Sequence, residues 1–145
     1  DWSSDVCSSD LKSIFQPRMK LRWLHWIPAL VWAGLLFFLS SLSNPPIPGP
    51  VFPMRDKLGH WGLYFIHGWL IVQALRRGQA FPLPRALVVA AVLTSLYGLS
   101  DELHQHFVPY RSADALDWLA DTLGGIAAAT TVYVYESVRS AKTHR

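Results

Sequence analysis

Three stretches of this sequence set polar side chains at helical spacing. Asp56, His60 and Tyr64 lie four residues apart, on one helix face, with Lys57 on the neighbouring stripe. Tyr97, Asp101 and Gln105 repeat that spacing, with Glu102 beside them. Asp114, Asp117 and Asp121 share a face that continues into Gly124, Gly125 and Ala128, and Arg111 and Ser112 precede it. Carboxylates near an imidazole can do acid–base work. The same groups beside Arg and Lys can hold phosphate, carboxylate, hydroxyl or amide by charge-assisted hydrogen bonds. Asp117, Asp121, His60 and Glu102 are the catalytic candidates. The binding candidates are Asp56, Lys57, His60, Tyr64, Asp101, Glu102, Gln105, Arg111, Ser112, Asp117 and Asp121.

Simpler roles compete with these. Asp114 suits a helix N-cap, and Asp117 the first turn, where the helix dipole favours an acid. Asp121 lies two turns in, roughly 10 Å from the cap, too deep for capping. Inside an apolar bundle such an acid points to function. Asp56 and Lys57 fit an interfacial ion pair equally well, and His60 a satisfied bundle histidine. His67 has no acid at helical spacing and reads as structural. His104 and His106 are expected to face a loop. No third ligand follows them at a diagnostic spacing, so no metal and no cofactor are expected. Trp61, Trp69 and Trp118 read as packing or interfacial aromatics.

The elements that must carry these residues are apolar. Of 145 residues, 51% are hydrophobic and only 16% charged, against about 25% charged in soluble domains. Four runs stand out: Leu24 to Leu42, Leu58 to Leu75, Ala86 to Ser100, and Ala115 to Tyr135. The third is short unless its helix continues through the polar segment Asp101 to Phe107, before Pro109. Helices of about 20 residues span a hydrocarbon core of about 30 Å. The fold expected is an all-α integral membrane bundle of four transmembrane helices, both termini cytoplasmic. The first run is read as an uncleaved helix rather than a signal peptide, because its apolar core is long and lacks a small-x-small site. Pro28 falls early in it, where a helix tolerates or kinks at proline. Ser43 to Pro53, with five prolines and a glycine, is a loop. Residues 1–11 lack periodicity, resemble a translated sequencing adapter, and are set aside as a non-native or disordered tail. Cys7, the sole cysteine, lies there, so no disulfide forms within the chain. Residues 12–145 form a single domain.

Charge orients the bundle. Lys12, Arg18, Lys20, Arg22, Arg76, Arg77, Arg85, Arg139, Lys142 and Arg145 fall on one side, ten of the thirteen basic residues. By the positive-inside rule that side is cytoplasmic. The basic residues sit in short clusters between apolar runs and form no face, so the pI of about 9.3 does not imply nucleic-acid binding. Asp56, Asp101, Glu102, Asp114, Asp117 and Asp121 gather at the opposite end, a clustering the orientation rule does not require.

Taken together, these segments resemble the VanZ-like family of bacterial membrane proteins. The resemblance rests on Asp56-Lys57-x-x-His60-x-x-x-Tyr64, Ser100-Asp101-Glu102-x-x-Gln105, Pro109-x-Arg111-Ser112 and Asp117-x-x-x-Asp121-x-x-Gly124, in that order. It covers most of the chain after Met54; the first helix fits in position only. Two positions depart from it: the family usually has Gly where Tyr110 stands, and Asn where Asp121 stands. The resemblance implies a multi-pass protein of the bacterial inner membrane and a link to cell-envelope biology. The founding member is linked to low-level resistance to the glycopeptide antibiotic teicoplanin.

The expectation favoured for function is a non-enzymatic protein binding a lipid headgroup, lipid-linked cell-wall precursor or amphiphilic glycopeptide at the outer interface. Arg111 and Lys57 would engage the anion, and Asp101, Glu102 and Gln105 its donors. Tyr64, Tyr110 and Trp118 would cover the apolar part. An enzyme acting on lipid-linked phosphate or sugar ranks second. Arg111-x5-Asp117-x3-Asp121 resembles the third motif of PAP2-type lipid phosphatases, but Asp117 replaces the histidine nucleophile and the preceding motifs are missing. A small proton-coupled transporter using Asp121 and His60 ranks third and would need an oligomer.

Overall fold

The computed structural model describes residues 22–43 and 54–143. The expectations for residues 1–11, and for most of the proline-rich loop, lie outside the described residues. Within them the chain is helical and contains no strand. The helices are α1 (Ile27–Ser40), α2 (Arg55–Gln73), α3 (Leu83–Gln105) and α4 (Ala115–Thr143). A π-helical turn, Ala74–Gly78, follows α2 directly.

The helix starts follow from the sequence. Pro28 and Pro84 sit in the first turns of α1 and α3, where the missing N–H costs nothing and the fixed φ suits the helix. Asp56 and Asp117 occupy the first turns of α2 and α4, at the positive end of each dipole. As the sequence predicts, α3 runs on through Asp101 and Glu102, but it ends at Gln105, and His106 and Phe107 form a turn.

The helices run up and down. Arg22 Nε donates to the Gly78 carbonyl at 2.6 Å, and Arg76 lies 4.0 Å from Glu136, so these groups share one end. An apolar core lies toward that end, built from Ala29, Ile71, Val72, Leu75, Ala86, Ala90 and Val132. At the other end the buried side chains are polar: Asp101, Glu102, Gln105, Asp117 and Asp121.

The closest packing is between α2 and α4. The buried stripe of α4 begins with Asp117 and Asp121 and continues as Gly124, Gly125, Ala128, Ala129 and Val132. A Cβ on Gly124 would stand 2.4 Å from the Trp61 carbonyl oxygen and 2.9 Å from the Phe65 nitrogen, so backbone meets backbone there. Helix α1 is peripheral. Two bonds to main-chain carbonyls hold it: Trp32 Nε1 to Leu63 at 3.0 Å, and Tyr97 Oη to Ala33 at 2.6 Å.

By length and composition, two helices are apolar enough to cross a membrane: Arg22–Ser40 and Leu83–Gln105. The expectation of four such runs is therefore met only in part. Helices α2 and α4 form where expected, but Arg55, Asp56, Lys57 and His60 in one, and Asp117, Asp121, Glu136 and Arg139 in the other, dilute their apolar content. The two apolar helices are not core helices, since only 17% and 22% of their windows are buried. Their outward faces expose large side chains such as Val31, Phe38, Val88 and Leu96.

Candidate functional site

The polar end of the bundle is built in layers. Uppermost is Lys57, in the first turn of α2. Its ammonium lies 2.6 Å from Asp114 Oδ2, 2.7 Å from Asp117 Oδ1 and 3.2 Å from Asp56 Oδ2. An ammonium has three N–H donors, and here three carboxylates take them. Partial burial works against the charge on Lys57, but the bonds to Asp114, Asp117 and Asp56 outweigh it and hold its pKa above the ordinary value. Asp114 is held below its ordinary value by the Lys57 ammonium and the Leu116 N–H. Asp56 is also lowered: slight burial pushes it up, and the backbone N–H and ammonium of Lys57 prevail.

Asp114 has two roles. Its Oδ1 accepts from the Leu116 N–H at 2.8 Å, as an N-cap does, and its Oδ2 accepts from Lys57. Its own N–H donates to Glu102 Oε2 at 2.7 Å, which ties the segment before α4 to the end of α3.

One turn deeper, His60 Nδ1 lies 3.0 Å from Asp121 Oδ1. Asp121 is fully buried, and its other oxygen has no hydrogen-bond partner. It rests against Gly98, where an added Cβ would stand 2.8 Å from Asp121 Oδ2. Gly98 thus makes the space the Asp121 carboxylate fills.

A third group lies along α3. Gln105 Nε2 donates to Asp101 Oδ2 at 3.3 Å, one turn back. Gln105 Oε1 accepts from Arg111 through Nε at 3.1 Å and also through Nη2. The guanidinium thereby closes the loop over the end of α3.

Several of these groups border a cavity of about 480 Å³, while Lys57, Glu102 and Asp121 lie behind its wall. Leu36, Leu39 and Leu63 make its apolar wall; His60, Asp101, Arg111 and Asp117 contribute to the polar one. Tyr110 and Ser112 also line it and are exposed. Tyr110 has φ 62°, a left-handed conformation that suits glycine.

The fold brings the candidates of all three stretches together, and Tyr64 is buried below them, 6.4 Å from the His60 ring between centroids. The Tyr97 ring packs 4.9 Å from His67 and 6.2 Å from Tyr64, and its hydroxyl donates to the Ala33 carbonyl of α1. His104 does not face the loop as expected. Its ring packs at a tilt against Phe37, 4.6 Å between centroids, and lies 3.0 Å from Ser41 Oγ. Lys57 is engaged within the protein, its donors going to Asp56, Asp114 and Asp117, and Arg111 donates to Gln105. Sequence reasoning missed the α1 wall of the cavity, since Leu36, Leu39 and Ser40 carry no signal beyond an apolar run.

The family model described as VanZ/LLP1 matches residues 8–136. That range takes in α1 to α3, most of α4 and every residue of the polar cluster. No curated protein and no solved structure matches the chain. Because the match covers most of the chain and the whole of the site, this protein belongs to the VanZ-like family.

Proposed function

We propose that this chain is a multi-pass protein of the bacterial cytoplasmic membrane. Its four helices cross the bilayer, both termini are cytoplasmic, and the polar end of the bundle faces outward. The exposed apolar faces of α1 and α3 support the membrane, because contiguous apolar surface on this scale is unusual in a soluble monomer. With α1, α2, α3 and α4 alternating in direction, two crossings by α1 and α3 bring α2 and α4 across as well. Arg22, Arg76 and Arg77 fall at the end the positive-inside rule assigns to the cytoplasm. Reporter fusions after Ser43 and after Arg77 test this: they should lie on opposite sides, and a same-side result excludes four crossings.

Within that frame the outer end binds an amphiphile, a lipid headgroup or amphiphilic glycopeptide, rather than transforming one. The observation that carries this reading is the two-sided cavity, leucine on one wall and Arg111 with carboxylates on the other. An acyl or prenyl segment suits the first wall. A phosphate or carboxylate suits Arg111, whose guanidinium has N–H groups beyond the two that Gln105 accepts. A role in glycopeptide resistance would follow from holding the antibiotic or its lipid-linked target there.

Native mass spectrometry of the gently extracted protein, with and without lipid-linked cell-wall precursors, tests the binding. A retained, chemically unchanged lipid lost in Arg111→Ala, and only partly kept in Arg111→Lys, is the expected result. A precursor converted by the wild type would make the protein an enzyme and end the binding reading.

A further inference from the structure

Below the Lys57 clamp, α2, α3 and α4 each bring one donor to a common point. His60, Glu102 and Asp117 each offer one ligand atom, and these atoms lie within 4.8 Å of one another. We propose that the three residues form a binding site for a divalent first-row transition-metal ion, of the manganese or zinc class. One imidazole nitrogen with two carboxylates is a donor set such ions accept. The proposal does not depend on what the cavity holds.

Each of the three residues keeps a ligand atom that its own hydrogen bonds do not use. His60 Nδ1 faces Asp121 Oδ1 at 3.0 Å, so in the neutral tautomer with the proton on Nδ1 the Nε2 lone pair is free for an ion. A carboxylate behind the imidazole is the usual arrangement around a metal-bound histidine, where it fixes the tautomer and strengthens the donor. Glu102 is 4% exposed, its Oε2 takes the Asp114 N–H, and its Oε1 is buried with no hydrogen-bond partner. Buried polar atoms are normally paired, so an orphan carboxylate oxygen beside an imidazole needs a partner. Asp117 uses Oδ1 for Lys57, which leaves Oδ2.

Charge points the same way. Asp56, Asp101, Glu102, Asp114, Asp117 and Asp121 face Arg55, Lys57 and Arg111 at this end, six acids against three bases. Four of the six, Asp101, Glu102, Asp117 and Asp121, are buried. Ligand bonds of about 2.0–2.2 Å would draw the three donors closer together than they stand, a shift of about 1 Å that side-chain torsions can supply. His60 and Asp117 also line the cavity, so the remaining coordination positions would open toward it. The sequence hides this site because the ligands come from three helices with no short ligand motif.

The test uses tag-free full-length protein in detergent, stripped with chelator and titrated with Mn²⁺ alone. Loss of the free-ion electron paramagnetic resonance signal reads the binding. One ion per chain is expected. Glu102→Gln should abolish the site, Asp121→Asn should weaken it by about 10- to 100-fold by removing the carboxylate charge that strengthens the imidazole donor, and His104→Ala should leave it intact. Added Mn²⁺ or Zn²⁺ should also raise the unfolding midpoint of wild type but not of Glu102→Gln. No saturable binding of either ion, or equal binding by wild type and Glu102→Gln, overturns the proposal. Should Glu102→Gln fail to fold, undiminished binding by Asp121→Asn does so instead.

Discussion

Lys57 Nζ lies 2.7 Å from Asp117 Oδ1, which joins the first turn of α2 to the first turn of α4. The Asp117 side chain is only 11% exposed, whereas that of Asp56, the outermost partner, is 50% exposed. Removing the ammonium leaves a mostly buried carboxylate unpaired. Lys57→Met is expected to lower stability by about 1–3 kcal/mol. Asp56→Asn should change it by no more than about 0.5 kcal/mol, as exposed pairs do. Unfolding in mixed detergent with rising SDS measures both, and equal losses would show that the clamp contributes nothing special.

The same clamp predicts a pH profile. Lys57 is raised in the folded state, so its contribution is complete below its unfolded value and is lost only as pH rises through the folded one. Asp56 and Asp114 are lowered, so theirs is present above their unfolded values and is lost as pH falls through the folded ones. Reference values near 10.4 and 3.9 leave a window of about pH 5 to 9 in which neither changes. The stability difference between wild type and Lys57→Met should be flat across that window and shrink in stronger acid. A difference that vanished near neutral pH would assign the effect to another group.

Glycine replacements separate packing from propensity. A Cβ on Gly124 would lie 2.4 Å from the Trp61 carbonyl, while one on Gly62 would meet nothing within 4 Å. Gly124→Ala must push α4 off α2 and should cost about 1–3 kcal/mol. Gly62→Ala should be neutral or gain up to about 1 kcal/mol from helix propensity. If both changed stability alike, the close α2–α4 approach would be disproved.

Tyr110 holds a left-handed backbone, where a Cβ costs about 1–2 kcal/mol. Tyr110→Gly should raise stability by about 1 kcal/mol, part of the relief being offset by the looser unfolded chain. Because Tyr110 lines the cavity, the same change should weaken amphiphile binding. A destabilised Tyr110→Gly would mean that the ring supports the loop.

Much of the fold was legible because periodicity reports which face is buried. The stripe from Asp117 to Ala128 appears as read, and so does the polar extension of α3, which stops at Gln105 rather than Phe107. The depth of Asp121 alone implied a partner, and His60 is that partner. Partnership between distant residues was less legible. Lys57 looks equally ready for a phosphate or a carboxylate until α4 is placed beside it. The turn of His104 toward Ser41, and the leucine wall from α1, depend on how helices pack, which spacing within one helix does not encode. The left-handed Tyr110 shows at the sequence level only as a departure from the family's glycine.

The bonds from Lys57 to Asp117 and from His60 to Asp121 close over 60 and 61 residues of chain. On a ribosome adding about 5–20 residues per second, that is several seconds of synthesis. Throughout that interval α2 exists without α4: Lys57 has only the adjacent Asp56, and His60 lacks Asp121. A nascent chain released before Asp114 can never answer them. The cluster therefore marks completion as well as shape: these charges are paired across helices only once α4 has been made.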